Sequence, residues 1–278
     1  MQIIDHQLHD DSGAPYPFIN SPNYPRNTRL GACDYLIIHY TTGTNPAQTI
    51  NWFKSPKAMA VAHLLITREG EIIQFVPFNT VAWHAGYSQW ADRTGLNRYS
   101  IGIELDNAGR LVRETGCWKR LGNTFTDDQV LKAAHKMQTI EMGWERYPQA
   151  QLEALREVGK LLKATYNFID VLGHDDVSLS GKLDPGPAFD TAGMRNEIMG
   201  FQQDQRFVFK NFKSANVLRK EPKERSAATG KLANGREVVV LDYFRNWVQV
   251  QQMLPDNTLG SFVGWVPERF LKRLRTLA

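Results

Sequence analysis

Short apolar runs, too brief for helices, alternate with segments of helical period between about residues 35 and 200, and this alternation restricts the fold more than any other feature. Y-L-I-I-H (35–39), V-A-H-L-L-I-T (61–67), E-I-I-Q-F-V (71–76), S-I-G-I-E-L (100–105) and V-L-G-H (171–174) have the length and β-branched content of buried strands. R-E-G between the second and third runs is a hairpin signal. Thr44 or Asn45 followed by Pro46 opens a helix that carries Ile50, Trp52 and Phe53. Thr126 and Gln129 form a capping-box-like pair, which predicts a helix to about residue 140. Leu152, Leu155, Val158 and Leu162 fall on one apolar face of a helix predicted over about 148–166, and a last helix is predicted over about 191–200. Strands alternating with amphipathic helices predict an α/β fold, a mixed central β-sheet flanked by helices. The first 34 residues, with Pro15, Pro17, Pro22 and Pro25, read as an irregular wrap over that domain.

The character changes after about residue 205. Strand-like runs at 215–218, 236–242, 246–251 and 262–266 are separated by Asn, Gly and Pro turns, with no helical period between them. They predict a small all-β barrel, with E-P-K-E-R-S (221–226) as one of its loops. The expected division is a domain over 1–204 and a second over 205–278, and 278 residues suffice for a core in each. No stretch approaches the roughly 18 apolar residues of a membrane span, so no membrane insertion is expected. The N-terminus, M-Q-I-I-D-H-Q-L-H-D-D-S-G, lacks the basic and apolar regions of a signal peptide. A cytoplasmic location, export by another route and prior loss of a leader all fit that observation. A net charge of +4, with basic residues gathered towards the C-terminus, suits a polyanionic partner or simply a soluble surface. No basic helix or aromatic-basic sheet motif accompanies it, so no nucleic acid is expected as partner. The two cysteines, Cys33 and Cys117, are too few for a disulfide framework; they are a single bridge or, as the preferred expectation, two buried thiols. The oligomeric state is not legible.

Candidate chemistry gathers at the ends of the strand-like runs. His39 and His174 each close one, and Asp184 lies ten residues after His174 in a loop constrained by Pro185 and Gly186. The ends of strands in an α/β sheet are where ligands bind. Two imidazoles and a carboxylate are a common protein donor set for a catalytic zinc, which keeps one position open and polarises a carbonyl. Spacing by itself leaves other readings open, because the chain has seven histidines and a single histidine in an apolar run is more often a core residue. His63, with apolar neighbours on both sides, is expected to be packed or to stand behind a ligand rather than to be one.

The surrounding words carry more. V-A-H-L-L-I-T-R-E-G-E-I-I-Q-F-V-P-F (61–78), A-W-H-A-G-Y-S-Q-W (82–90), S-I-G-I-E-L (100–105), G-H-D-D-V (173–177) and K-L-D-P-G-P-A-F-D (182–190) resemble the amidase-2 family of zinc N-acetylmuramoyl-L-alanine amidases, which spans AmpD-like enzymes, phage lysozyme-type amidases and peptidoglycan recognition proteins. The resemblance covers about 35–200, in the family's order. It implies one zinc ion (Zn2+) per chain, held by His39, His174 and Asp184. Glu104 matches the acidic residue that activates the attacking water, and Lys182 the cation that stabilises the tetrahedral intermediate. A carboxylate can take the proton of that water and pass it to the leaving amine, and an ammonium can face the developing oxyanion. Tyr40, Trp83 and His84 are the expected substrate contacts. Asp175 and Asp176 either orient His174 or cap the turn.

The implied activity is hydrolysis of the amide bond between N-acetylmuramic acid and L-alanine in peptidoglycan or muropeptides, which are the implied partners. The alternative is a non-catalytic peptidoglycan-binding protein on the same fold, a kind that typically lacks the full ligand set. The stretch 106–125 is longer than in the minimal recycling enzymes of this family, and H-Y-T-T-G-T after the first histidine also departs from them. Both departures fall where the cleft is expected, leaving intact wall and released anhydro-muropeptide as alternative substrates. In the C-terminal part, S-A-N-V-L-R (214–219), G-K-L-A-N-G-R-E-V-V-V-L (230–241), N-W-V-Q-V (246–250) and V-G-W-V-P (263–267) resemble a bacterial SH3-like domain, with Trp247 and Trp265 as core or groove aromatics, core being the default, and cell wall as the implied ligand.

Overall fold

The run at 35–40 is buried almost end to end, and the rest of the larger unit is arranged on it. The structure is a computed structural model and describes residues 1–25, 27–202 and 205–277. Its central sheet has five strands in the order Asp170–Gly173, Tyr35–Tyr40, Ser100–Leu105, Leu64–Ile66 and Ile72–Gln74. The first four run parallel, and the last closes an antiparallel hairpin with its neighbour. Parallel strands need both faces covered, which is why these segments read as near-continuous apolar runs. Period-two alternation still sorts the residues. Leu36, Ile38, Leu64, Ile66, Ile101, Ile103 and Leu105 pack with Leu155, Val158, Leu162, Met194 and Ile198 in one core. Leu65 points to the other side, into a second core with Phe53, Val61 and Phe75.

The helices begin and end where their sequences direct. Asn45 caps Pro46–Lys54, its side chain accepting from the Ala47 N–H at 2.8 Å, and the helix stops at Ser55, just before a proline. Gln149–Tyr166 buries Leu155, Val158 and Leu162 and ends at Asn167 in the left-handed conformation. Thr191–Met199 is the last helix of this unit. The N-terminal residues form a small hairpin, Gln2–Ile4 with Gln7–His9. Among the described residues, no helix is long and apolar enough to cross a membrane.

The expected helix over 126–140 is not formed. The capping box does form, with Gln129 Oε1 accepting from the Thr126 N–H at 2.9 Å, but it opens a single 3-10 turn over Asp127–Gln129. Val130–Ala134 then pairs antiparallel with Glu141–Glu145, which continues through Arg110–Glu114 and Cys117–Arg120 to Asn123–Phe125 in a second five-stranded sheet. Val130 and Trp144 are buried in this sheet. A cap without a following apolar helical stripe does not sustain a helix, and tertiary pairing decides the segment. The cysteines are not bridged: Cys33 is half-buried and Cys117 exposed, so the expectation of two buried thiols fails for Cys117, which sits at the tip side of this hairpin.

The chain forms two compact units, Met1–Ser88 with Gly95–Phe201, and Gln89–Thr94 with Gln202–Ala278. The second unit is all β, seven strands in the order Ala228–Ala233, Ala215–Arg219, Leu259–Pro267, Trp247–Met253, Glu237–Phe244, Phe207–Asn211 and Leu271–Thr276. Phe209, Leu218, Leu232, Val238, Val248, Val250, Val266 and Leu271 fill its core. Trp247 is buried and Trp265 half-buried. The short hairpin 89–94 belongs to this unit, the Ala91 N–H donating to the Arg269 carbonyl at 2.7 Å.

Candidate active site

Sheet register brings the candidate residues together. His39 lies directly opposite Glu104 on the neighbouring parallel strand, and Gly173, the residue before His174, lies opposite Ile38 on the other side. His174 opens the short helix His174–Val177 at the carboxyl end of its strand. Asp184 reaches this edge from its loop, whose backbone is tied by the Asp175 N–H donating to the Asp184 carbonyl at 2.7 Å. One carboxylate oxygen, Asp184 Oδ2, lies 3.0 Å from His39 Nδ1 and 2.8 Å from His174 Nδ1. The three donor groups fall within 4.8 Å of one another, and all three residues are buried.

The charge states follow from that geometry. Burial pushes the Asp184 carboxyl up, but hydrogen bonds from His174 and His39 outweigh it and hold the group well below the usual carboxylate range. His39 is pulled down to about 4, first by burial and then by the neighbouring His174 ring. At neutral pH the group is therefore an ionised carboxylate between imidazoles, of which His39 is neutral. Neutral imidazole and ionised carboxylate are the forms that coordinate a metal.

Glu104 lines the same cleft as these residues, and its Oε2 is buried with no hydrogen-bond partner among the described residues. Burial, reinforced by Asp184 and opposed by Lys182, raises its pKa well above that of an ordinary glutamate. Lys182 is exposed and lines the same cleft, which has a volume of about 740 Å³.

Tyr40, Trp83 and His84 also line the cleft. Trp83 is 37% exposed, whereas the His84 ring is turned onto the ligand set, with Nδ1 3.0 Å from His39 Nε2 and Nε2 3.3 Å from Ser100 Oγ. The ring rests on Gly102, where a Cβ would lie 2.4 Å from His84 Cγ. Tyr40 similarly needs Gly109, in the positive-φ region, since a Cβ there would meet its ring at 2.4 Å. His63 is the packed residue the sequence suggested: it is fully buried, one ring nitrogen 2.9 Å from the Thr80 carbonyl and the other accepting from the Gly102 N–H at 3.0 Å.

Of the two readings the sequence leaves open for Asp175 and Asp176, the hydrogen bonds favour the turn. Asp176 accepts from the Gly173 N–H at 2.7 Å and so caps the turn, while Asp175 binds His135 Nε2 at 2.9 Å and Lys136 Nζ at 2.8 Å. Among the described residues neither hydrogen-bonds the His174 ring, whose Nδ1 meets Asp184 and whose Nε2 has no hydrogen-bond partner. His135 and Lys136 lie in the segment whose capping box points to a helix, and nothing in the sequence links them to Asp175, some forty residues on. Trp52, Arg110 and Arg120 also line the cleft.

A largely parallel-stranded α/β domain thus carries a two-histidine, one-aspartate donor set that could hold a metal ion, with a buried carboxyl beside it. The family profile of N-acetylmuramoyl-L-alanine amidase (amidase-2) matches residues 29–187, and that of the bacterial SH3 domain matches 214–272. The chain belongs to the N-acetylmuramoyl-L-alanine amidase family and is an enzyme of that class. It is 35% identical over 157 residues to the 1,6-anhydro-N-acetylmuramyl-L-alanine amidase AmpD of Escherichia coli K12, covering 55% of this chain and 67% of that relative. To the N-acetylmuramoyl-L-alanine amidase AmiD of the same organism it is 32% identical over 139 residues, 49% of this chain and 41% of the relative. A crystal structure of AmpD superposes with a TM-score of 0.46 at 25% identity, covering 71% of this chain and 99% of the other.

Proposed function

We propose that this chain hydrolyses the amide bond between N-acetylmuramic acid and L-alanine in peptidoglycan or muropeptides, with one zinc ion held by His39, His174 and Asp184. The observation that carries the reading is the convergence of two imidazole nitrogens on one carboxylate oxygen at the floor of a cleft of about 740 Å³. Two nitrogens and an oxygen are a donor set that zinc accepts while leaving a position open. Zinc held there would polarise the scissile carbonyl and make water nucleophilic at neutral pH.

The chain's own residues divide the remaining work. Glu104, desolvated and without a fixed partner, is free to take a proton from the attacking water and return it to the departing amine of L-alanine. The Lys182 ammonium, on the cleft surface, faces the charge that develops on the carbonyl oxygen. With a metal on His39 Nδ1 in place of the Asp184 contact, the ring proton would sit on Nε2, where His84 Nδ1, 3.0 Å away, would accept it. Trp83 and Tyr40 supply cleft surface for substrate. The C-terminal unit is proposed to hold the enzyme to cell wall, raising the local concentration of substrate by a second attachment.

The test is a metal determination on purified protein together with an assay for new amino termini on digestion of peptidoglycan. One zinc per chain and release of peptides are expected, and D184A should lose both. Protein without zinc that releases no amino termini would refute the reading.

A further inference from the structure

Two arginines that line the cleft have no ion-pair partner among the described residues. Arg110 begins the Arg110–Glu114 strand and Arg120 ends Cys117–Arg120, both in the inserted sheet, and both side chains line the cleft that holds His39, His174 and Asp184. Other arginines nearby are paired: Arg68 with Glu145 at 2.9 Å and with Asp106, and Arg113 with Asp127 at 3.6 Å. Among the described residues neither Arg110 nor Arg120 has an ion-pair partner, and Arg120 Nε is buried with no hydrogen-bond acceptor.

A buried donor left without an acceptor is unfavourable unless something outside the chain supplies one. A guanidinium presents its N–H groups as a rigid fork that matches a carboxylate. The substrate's chemistry then says where that carboxylate must be. The muramyl–L-alanyl amide consumes the lactyl carboxyl, so the sugar side keeps no free carboxylate, and every one that remains belongs to the stem peptide. We propose that Arg110 and Arg120 are specificity-determining residues that read a free carboxylate of the stem peptide. This inference rests on the amidase reading of the site.

The test compares paired substrates on one enzyme preparation. One pair is N-acetylmuramoyl-L-alanyl-D-isoglutamate and its D-isoglutamine analogue. The other is the two tripeptides with D-isoglutamine second and either diaminopimelate or lysine third. Within each pair only one carboxylate differs. For the wild type, kcat/KM should favour the carboxylate member of at least one pair, and R110Q/R120Q should shrink that ratio by about 10- to 100-fold, the value of a charge-assisted hydrogen bond or two. R110K/R120K, which keeps the charge without the fork, should retain part of the preference. Because each ratio is internal to one preparation, partial loss of folded enzyme cancels. The pair that responds identifies the carboxylate. Ratios that the double substitution leaves unchanged in both pairs would overturn the inference and leave the amidase reading standing. A zinc-loaded wild type that turns over none of the four would overturn the amidase reading, and this inference with it.

Discussion

Replacing His84 with phenylalanine separates two roles for that residue. The sequence suggests a substrate contact; the structure places its Nδ1 3.0 Å from His39 Nε2, behind the ligand set. When His39 Nδ1 coordinates a metal, its proton sits on Nε2 and donates to His84 Nδ1. Phenylalanine keeps a flat ring over Gly102, where the absence of a Cβ makes the room, but it accepts no hydrogen bond. Loss of such an outer partner typically weakens metal affinity by about 10- to 100-fold, or about 1.4 to 2.7 kcal/mol. H84F should therefore bind zinc more weakly by that factor in a competition with a chromogenic chelator. Its kcat should recover as zinc is added, with KM for muropeptide little changed. An unaltered zinc affinity combined with a raised KM would refute the positioning role and restore the substrate contact.

Two other perturbations test the supports of the site. His63 is fully buried with a pKa pulled down to about 4, chiefly by burial, so the unfolded chain takes up a proton between about pH 6.5 and 4 that the folded chain refuses. The stability this histidine contributes is complete above pH 6.5 and falls by about 3 kcal/mol as the pH drops to 4; urea unfolding across that range should show it, and an His63 ring that titrates near pH 6.5 by NMR would contradict it. Lys136 pairs with Asp175 and Asp176, and K136M should leave two buried carboxylates without their cation, lowering stability at pH 7 by about 3 kcal/mol in the same assay; a midpoint unchanged from wild type would mean the pair contributes nothing.

What the sequence made legible, and what it hid, is clearest in the word S-I-G-I-E-L. A strand buried on both faces shows as an apolar run, so its existence and position at Ser100–Leu105 could be read directly. Its alternation also says which residues share a face. Ile101, Ile103 and Leu105 enter the core beneath the Gln149–Tyr166 helix. Ser100, Gly102 and Glu104 must then share the opposite face, and each has a distinct task there. Ser100 Oγ approaches His84 Nε2, Gly102 leaves space for the ring, and Glu104 stands opposite His39 in the register. A slip of one residue would send Glu104 into the core and Ile103 into the cleft, so the packing that stabilises the sheet also positions the carboxyl. The strand's own pattern contains all of this, but not the identity of what faces it. His84 lies 45 positions after the His39 it contacts, and Arg110 and Arg120 arrive on strands of a sheet whose partner segment carries a helix-start signal. Local patterns state a residue's own conformation and burial. Long-range pairing decides its neighbours, and in this cleft the neighbours determine whether a histidine touches substrate or holds a ligand in place.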